Sequence, residues 1–441
     1  MNSKDEATGG PTAAVYTLGC RLNRADSDLI ADALRQAGYV VVPWGEWADL
    51  VVINGCVVTS AAGRKTRRAV RAARRRNPDA FVVLAGCAGE PAAQEAPESL
   101  PVDLVLPNSV KTRLPSYLPS PLARVADGPV VVAGTGEQGV FTEPATAFPT
   151  GRTRANLKIQ EGCDFFCAYC IVPHVRGAPR SRERSDVLRE AEALVSADAR
   201  ELVLTGVHTS LYRSPRGGLT ELLDAILALG EGFRVRVSSL EPGPEIPALV
   251  ERMASVPRIC PFLHLPVQHA DDGVLQRMRR RTGFAEFADL VGTAVERIPG
   301  VCIGTDVMVG FPGEDEGAFE TCLERLAGLP LGLMHVFPFS PRPGTVAAEF
   351  AHRPDGVVVE RRRQRMLELA REKAEAFVAS QIGRTVEVLT ERRTADLGAE
   401  GWSGNYLRVR FEGGEVPPNR LVRCRLTRAG EGRVAQGVVL P

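Results

Sequence analysis

Leu157-Lys158-Ile159-Gln160-Glu161-Gly162-Cys163-Asp164-Phe165-Phe166-Cys167-Ala168-Tyr169-Cys170 runs from a short apolar strand into three cysteines spaced C-x3-C-x2-C. Three thiolates on one short loop can hold a 4Fe-4S cluster and leave its fourth iron open, which is what a chelating small molecule needs. A zinc site completed by His174 is the competing reading of the same spacing. The fold around the loop is set by the sequence on either side of it.

Downstream, candidate strands recur near 157–159, 202–204, 235–237, 263–265, 306–309 and 334–337, separated by helical segments rich in Leu, Ala, Glu and Arg. Strand and helix alternating in this way favour parallel pairing, and six repeats predict an open (β/α)6 relative of the eight-fold barrel. A long helix over 356–380 closes the series. The tail then turns strand-rich at 386–389, 406–411, 421–426 and 437–440, as a small β-barrel would.

Upstream, apolar runs at 15–18, 50–53, 81–84 and 102–106 alternate with helical stretches and predict a small parallel α/β sheet. Gly19-Cys20, Gly55-Cys56 and Gly86-Cys87 each follow one of these strands. Parallel strands carry their C-terminal ends to one edge, so the three thiols should emerge together and can converge on one metal centre. Three buried structural cysteines are the alternative. A stretch rich in Pro, Ser and Gly over 114–150 reads as a linker. The expected division is 12–115 for the first sheet, 116–148 for the linker, 149–380 for the barrel and 381–441 for the tail.

Lys plus Arg (54) and Asp plus Glu (53) nearly cancel over 441 residues, so net charge announces neither a nucleic acid nor a membrane. The first residues lack the apolar core of a secretory signal, and runs such as Val40-Val41-Val42 are far too short to span a bilayer. A soluble, cytoplasmic protein is expected, with no membrane partner. Ten cysteines in a reducing compartment point to metal or redox chemistry rather than disulfides. Cys260, Cys302, Cys322 and Cys424 have no partner spacing and read as core residues.

Charge does cluster locally. Arg64, Arg68, Arg71 and Arg75 recur at helical spacing, with Lys65, Arg67, Arg74 and Arg76 widening the patch, and such a face suits phosphate contacts. A solvated surface helix is the plainer reading. Arg392, Arg393, Arg408, Arg410, Arg423, Arg425 and Arg428 make the tail basic, compatible with RNA backbone binding.

At these residues the chain resembles the methylthiotransferase branch of the radical S-adenosylmethionine enzymes, from about Val15 to the C-terminus. The segments Leu204-Thr205-Gly206-Val207-His208, Ser238-Ser239-Leu240-Glu241-Pro242, Gly310-Phe311-Pro312-Gly313-Glu314 and His335-Val336-Phe337-Pro338-Phe339-Ser340 look most like the subgroup acting on threonylcarbamoyladenosine in tRNA. So does Gly404-Asn405-Tyr406, in a tail that resembles an RNA-binding TRAM domain. Two departures stand out: Gly55 replaces an expected Thr, and His269-Ala270-Asp271 replaces Ser-Gly-Ser after Pro266-Val267-Gln268.

The resemblance implies two 4Fe-4S clusters, an auxiliary one on Cys20, Cys56 and Cys87 and an S-adenosylmethionine-binding one on Cys163, Cys167 and Cys170. It implies reductive cleavage to a 5'-deoxyadenosyl radical, then methylthio transfer to C2 of the modified adenosine, with a second S-adenosylmethionine giving the methyl group. A flavodoxin or ferredoxin would supply electrons, while the sulfur donor is not implied. Strand-end position nominates Thr205, Gly206, Ser238, Glu241, Gln268, Asp306 and Gly310 as cofactor contacts, with Tyr169 against the adenine. His208, His264 and His335 lie in or just after strands and receive no acid-base role. Sister groups acting on isopentenyladenosine in tRNA or on an aspartate of a ribosomal protein share the cluster motifs. A zinc-stabilised RNA-binding protein without activity is the non-enzymatic alternative.

Overall fold

The computed structural model describes residues 10–90, 100–125, 128–134, 139–144, 146, 152–391, 399–412 and 416–441. Its first layer is a six-stranded, wholly parallel sheet in the order β2-β1-β3-β4-β5-β6. The strands are β1 (Thr12–Thr17), β2 (Val40–Val42), β3 (Leu50–Gly55), β4 (Phe81–Gly86), β5 (Leu104–Val105) and β6 (Val130–Val131). Every residue of β3 and β4 is buried, which is why their sequences are continuous apolar runs rather than alternating ones. Side chains still alternate by face. Leu50, Val52, Phe81 and Val83 pack with Ile30 and Leu34 of helix α1 (Arg21–Gln36), while Val51, Ile53, Val82 and Leu84 pack with Val70 and Ala73 of α2 (Ser60–Arg76).

The sheet reaches further than its sequence suggested. Val130–Val131, expected in the linker, pairs with Leu104–Val105 as the edge strand, and β7 (Gly139–Phe141) joins β9 (Gln160–Glu161) and β10 (Arg180–Arg182) in a small mixed sheet. Two or three residues suffice for an edge strand, a length at which periodicity carries no signal.

Six parallel strands form the second layer, in two triplets: β8 (Arg154–Lys158), β11 (Glu201–Thr205) and β12 (Arg234–Val237), then β13 (Phe262–His264), β14 (Cys302–Val309) and β15 (Leu333–Pro338). A parallel bridge from Val235 to Ile259 joins the triplets. Helices α3 (Val172–Arg176), α4 (Arg184–Ser196), α5 (Leu219–Leu227), α6 (Ile246–Ser255), α7 (Asp272–Arg277), α8 (Phe284–Arg297) and α9 (Glu316–Ala327) connect them. The largest apolar core lies between these helices and strands, with Leu157, Leu202, Leu204, Val235, Leu263 and Ile303 at its centre. The open six-strand arc read from the sequence is therefore the observed one.

Helix α10 (Gly356–Gln381) leads into a closed barrel of β16 (Thr385–Thr390), β17 (Glu400–Ser403), β18 (Arg408–Phe411), β20 (Val434–Val439) and β19 (Leu421–Ala429). Two buried arginines lock this barrel to the arc. Arg234 and Arg236 share Glu201 at 2.7 Å and donate to the carbonyls of Trp402 (2.8 Å) and Gly404 (2.9 Å). No helix among the described residues is long and apolar enough to cross a membrane.

Candidate active site

Strands β1, β3 and β4 are neighbours in register, so Cys20, Cys56 and Cys87 leave the same edge of the sheet, as expected from the glycine-cysteine pairs. Cys20 caps α1 and is exposed, whereas Cys56 and Cys87 are buried. Gly19 makes the convergence possible: its φ is +105°, and a Cβ there would stand 2.7 Å from Cys56 Cβ and 3.0 Å from its Sγ. Burial pushes the Cys56 thiol up to about 12 and also raises that of Cys87, where Arg176 opposes the shift. Arg176 Nε donates to Cys87 Sγ at 3.2 Å.

That arginine belongs to a buried ionic network between the first sheet and the arc. Lys158 reaches Asp26 at 3.0 Å, Glu143 at 2.8 Å and Glu161 at 2.9 Å; Lys111 meets Asp26 at 2.6 Å; Arg176 meets Glu161 at 2.7 Å and Asp26 at 3.2 Å. Buried charges persist only when paired this densely. The consequence is a fixed separation between the two cysteine sets.

Cys163, Cys167 and Cys170 line a cavity of about 400 Å³ with Phe165, Tyr169, His208, Glu241, Gln268, Arg280, Asp306 and Met308. Their loop is held by backbone bonds from Cys163 to Gly177 (3.1 Å), Ala168 to Met278 (2.9 Å) and Ala347 to Ala168 (2.7 Å). Burial raises Cys163 to about 11 and Cys170 to about 12. Arg280 stands 3.8 Å from Cys167 Sγ and pairs with Glu241. Gln268 Oε1 and His208 Nδ1 are buried without a partner, and Gln268 holds a φ of +70°. Unpaired polar atoms and a left-handed non-glycine residue in one cavity fit a polar ligand that satisfies them.

His174 is exposed on α3, its ring against Phe166, so it does not complete a site with these thiols. Among the described residues, the one trio of His, Cys, Asp or Glu with ligand atoms all within 4.8 Å of one another is His264, Asp306 and His335. The thiol triads are set wider than a single zinc ion, with Zn–S of about 2.3 Å, would draw them. Thiols set this wide fit a multi-iron cluster better.

A second cavity, of about 490 Å³, is lined by Cys20, Arg21, Gly206, Ser238, Ser239, Phe262, His264, His335, Trp402, Tyr406 and Arg433. It adjoins the first, since His264 Nε2 lies 3.3 Å from Asp306 Oδ1. Arg21 and Tyr406 continue into a third hollow of about 600 Å³ with Arg24, Arg152, Arg154 and Arg236. One thiol of the first triad and all three of the second thus face adjoining spaces.

Of the nominated contacts, Tyr169, Glu241, Gln268 and Asp306 line the cavity of the second triad, and Gly206 and Ser238 line its neighbour. Ser238 Oγ is occupied by the Leu204 carbonyl at 2.8 Å. Thr205 and Gly310 line neither. The Thr205 hydroxyl donates to Val203 O, and Gly310 turns at φ +74° under Val359 of α10. Arg176 and Arg280 escaped the sequence reading because a long cation on a helix or loop looks like surface. Only their burial marks them.

The basic helix forms as α2, with Thr59 capping it and Arg64, Lys65, Arg68, Arg71, Arg75 and Arg76 exposed. Arg74 leaves that patch, pairing with Asp103 at 2.6 Å. Arg423, Arg425 and Arg428 are exposed on the tail barrel; Arg408 pairs with Glu400; Arg392 and Arg393 lie outside the described residues. Cys260, Cys302, Cys322 and Cys424 are buried core, as expected.

Residues 157–326 match the radical SAM superfamily model, and residues 12–107 match the uncharacterized protein family UPF0004. The chain is 33% identical over 427 residues to the threonylcarbamoyladenosine tRNA methylthiotransferase MtaB of Bacillus subtilis, covering 95% of this chain and 94% of that protein. It is also 33% identical to the MtaB of Thermotoga maritima, over 94% of each chain. A tRNA-2-methylthio-N(6)-dimethylallyladenosine synthase of Cereibacter sphaeroides is 32% identical over 96% of this chain and 97% of its own. In fold, the radical S-adenosylmethionine methyltransferase TsrM of Kitasatospora setae superposes with a TM-score of 0.53 at 16% identity, covering 76% of each chain. The chain belongs to the family of radical S-adenosylmethionine tRNA methylthiotransferases, whose chemistry runs on 4Fe-4S clusters and S-adenosylmethionine.

Proposed function

We propose that this chain places a methylthio group on C2 of N6-threonylcarbamoyladenosine beside the anticodon of tRNA. The observation that carries the reading is the meeting, at His264 and Asp306, of the cavity holding Cys163, Cys167 and Cys170 with the one reached by Cys20. A nucleobase at that junction has access to both thiol sets. The subgroup motifs in the sequence and the names of the relatives from Bacillus subtilis and Thermotoga maritima support threonylcarbamoyladenosine.

Cys163, Cys167 and Cys170 would hold the cluster that binds S-adenosylmethionine, and Cys20, Cys56 and Cys87 the auxiliary one. When bound, these groups supply reductive cleavage of S-adenosylmethionine and the sulfur chemistry. The chain supplies position. Glu241 and Gln268 offer acceptors for the ammonium and hydroxyl groups of the cofactor, Tyr169 an aromatic wall, and Arg280 a cation beside Cys167 that favours its thiolate. Met308 and Phe337 wall the first cavity and Phe262 and Trp402 the second, apolar surfaces that would keep water from the reacting atoms.

The arginine-lined hollow, α2 and the tail barrel would carry the RNA backbone. We read 12–115 as the methylthiotransferase domain, 149–380 as the radical domain and 381–441 as the TRAM-like barrel, in a cytoplasmic enzyme fed by a flavodoxin or ferredoxin. The second reading is isopentenyladenosine, which the Cereibacter sphaeroides relative favours. Mass spectrometry of tRNA nucleosides from cells with and without the gene tests both. Loss of the methylthio form of threonylcarbamoyladenosine on deletion supports the first, and loss of methylthio-isopentenyladenosine replaces it with the second.

A further inference from the structure

We propose that Arg21 is the residue that reads the N6 substituent of the target adenosine, binding the carboxylate of the threonylcarbamoyl group in the cavity beside Cys20. This rests on the threonylcarbamoyladenosine reading above and adds to it a determinant of specificity.

Arg21 opens α1, directly after Cys20, and lines both the 490 Å³ cavity and the 600 Å³ hollow outside it. Its guanidinium donates to the Tyr406 hydroxyl and lies 5.3 Å from the centre of that ring. Among the described residues no carboxylate pairs with it. Four cationic neighbours are committed elsewhere: Arg154 to Glu391 at 2.9 Å, Arg236 to Glu201 at 2.7 Å, Arg152 to Asp28 at 2.7 Å, and Arg433 to the Tyr406 carbonyl at 2.8 Å.

A guanidinium carries five N–H donors in a planar fork, and a phenol uses one. The walls of the inner cavity, Ser238, His264 and His335 among them, offer no anion, and Glu391 and Glu400 of the outer hollow pair with Arg154 and Arg408. Arg21, Arg154 and Arg236 line one hollow, and a carboxylate brought to Arg21 makes charge-assisted hydrogen bonds, which are roughly twice as strong as neutral ones. An isopentenyl group brings no charge and leaves the arginine unpaired in a filled cavity, a penalty of the kind that separates hydrogen-bonding substrates from apolar ones. The arrangement rewards an acidic N6 substituent and penalises an apolar one.

The test measures binding of fluorescent anticodon stem-loop RNAs carrying threonylcarbamoyladenosine, its threonyl methyl ester, isopentenyladenosine or plain adenosine. The native protein, Arg21→Met and Arg21→Lys are compared. The native protein is expected to prefer the free acid over adenosine by about 10- to 100-fold, the size of a charge-assisted hydrogen bond, and to treat the ester like adenosine. Arg21→Met should lose that preference, its affinity for the free acid falling to the level of its own affinity for adenosine RNA, and Arg21→Lys should keep part of it. The ester arm needs no variant, so it decides the matter even if Arg21→Met folds poorly. Equal binding of acid and ester by the native protein overturns the proposal, as does a preference that survives in Arg21→Met. Equal weakening for every RNA also overturns it, by making Arg21 a backbone contact or a brace to Tyr406. A native protein that prefers isopentenyladenosine instead sinks the substrate reading itself.

Discussion

Arg176 Nε lies 3.2 Å from Cys87 Sγ, although Cys87 ends a strand of the first sheet and Arg176 follows the loop of the second cysteine triad. The same guanidinium holds Glu161 at 2.7 Å and Asp26 at 3.2 Å, so one side chain ties the two thiol sets to a common frame. Replacing it by Met removes one of the cations that buried Glu161 and Asp26 share with Lys158 and Lys111 and breaks the network's link to Cys87. Arg176→Met should lower the unfolding free energy by about 3–5 kcal/mol in urea titrations, and Arg176→Lys should recover only part, lacking the planar fork. Unchanged stability in Arg176→Met would show the network to be dispensable.

The two triads should separate by function when single ligands are removed. Cys167→Ala is expected to abolish production of 5'-deoxyadenosine, whereas Cys56→Ala should retain it and form no methylthio product. Each variant should lose about four irons per chain, one cluster's worth. Iron and sulfide analysis with chromatography of the nucleosides checks this, and methylthio product from either variant contradicts it.

Gly19 gives a test of the same site without touching a thiol. At φ +105°, with a Cβ position 2.7 Å from Cys56 Cβ, Gly19→Ala should cost about 1–3 kcal/mol in backbone strain and push the first triad apart. The expected result is loss of about four irons with cleavage of S-adenosylmethionine intact. Full iron content in this variant would mean the sheet edge has room to spare.

Acid should destabilise the chain through buried histidines. Burial holds both His208 and His269 down to about 4, against an ordinary value of 6.5. Because the folded values lie below the unfolded one, the stability is fully present above pH 6.5 and is lost as pH falls through 4, by roughly 3 kcal/mol per group at most. His269→Asn should therefore flatten the dependence of the urea midpoint on pH across that window by one group's share. An identical slope would assign the acid sensitivity elsewhere.

The helix α2 should divide cleanly between RNA contact and stability. Converting exposed Arg64, Arg68, Arg71 and Arg75 to Gln should weaken binding of tRNA and reduce the slope of log affinity against log salt by about 0.7–0.9 for each phosphate left without its arginine. Arg74→Gln should instead lower stability, because Arg74 holds Asp103 at 2.6 Å and the Ala80 carbonyl at 2.7 Å. A salt slope unmoved by the fourfold change makes α2 an ordinary solvated helix.

The sequence alone determined the architecture and singled out the two cysteine triads. Apolar runs of strand length alternating with helices allow few arrangements, and parallel strands must carry Cys20, Cys56 and Cys87 to one edge. C-x3-C-x2-C is local, so Cys163, Cys167 and Cys170 needed no tertiary information. Pairing of Val130–Val131 with β5 was not legible, since two residues carry no period.

What the tertiary structure decided is which charged residues are inside. Arg21, Arg176 and Arg280 read from the sequence like Arg68 or Arg75, because a long cation on a helix or loop is usually solvated. Folding half-buries Arg21 beside a cavity, buries the Arg176 and Arg280 side chains beside thiols and carboxylates, and leaves the other two in water. Side-chain environment depends on partners as much as 385 positions away, as in the bond from Arg21 to Tyr406, and no local pattern encodes that distance.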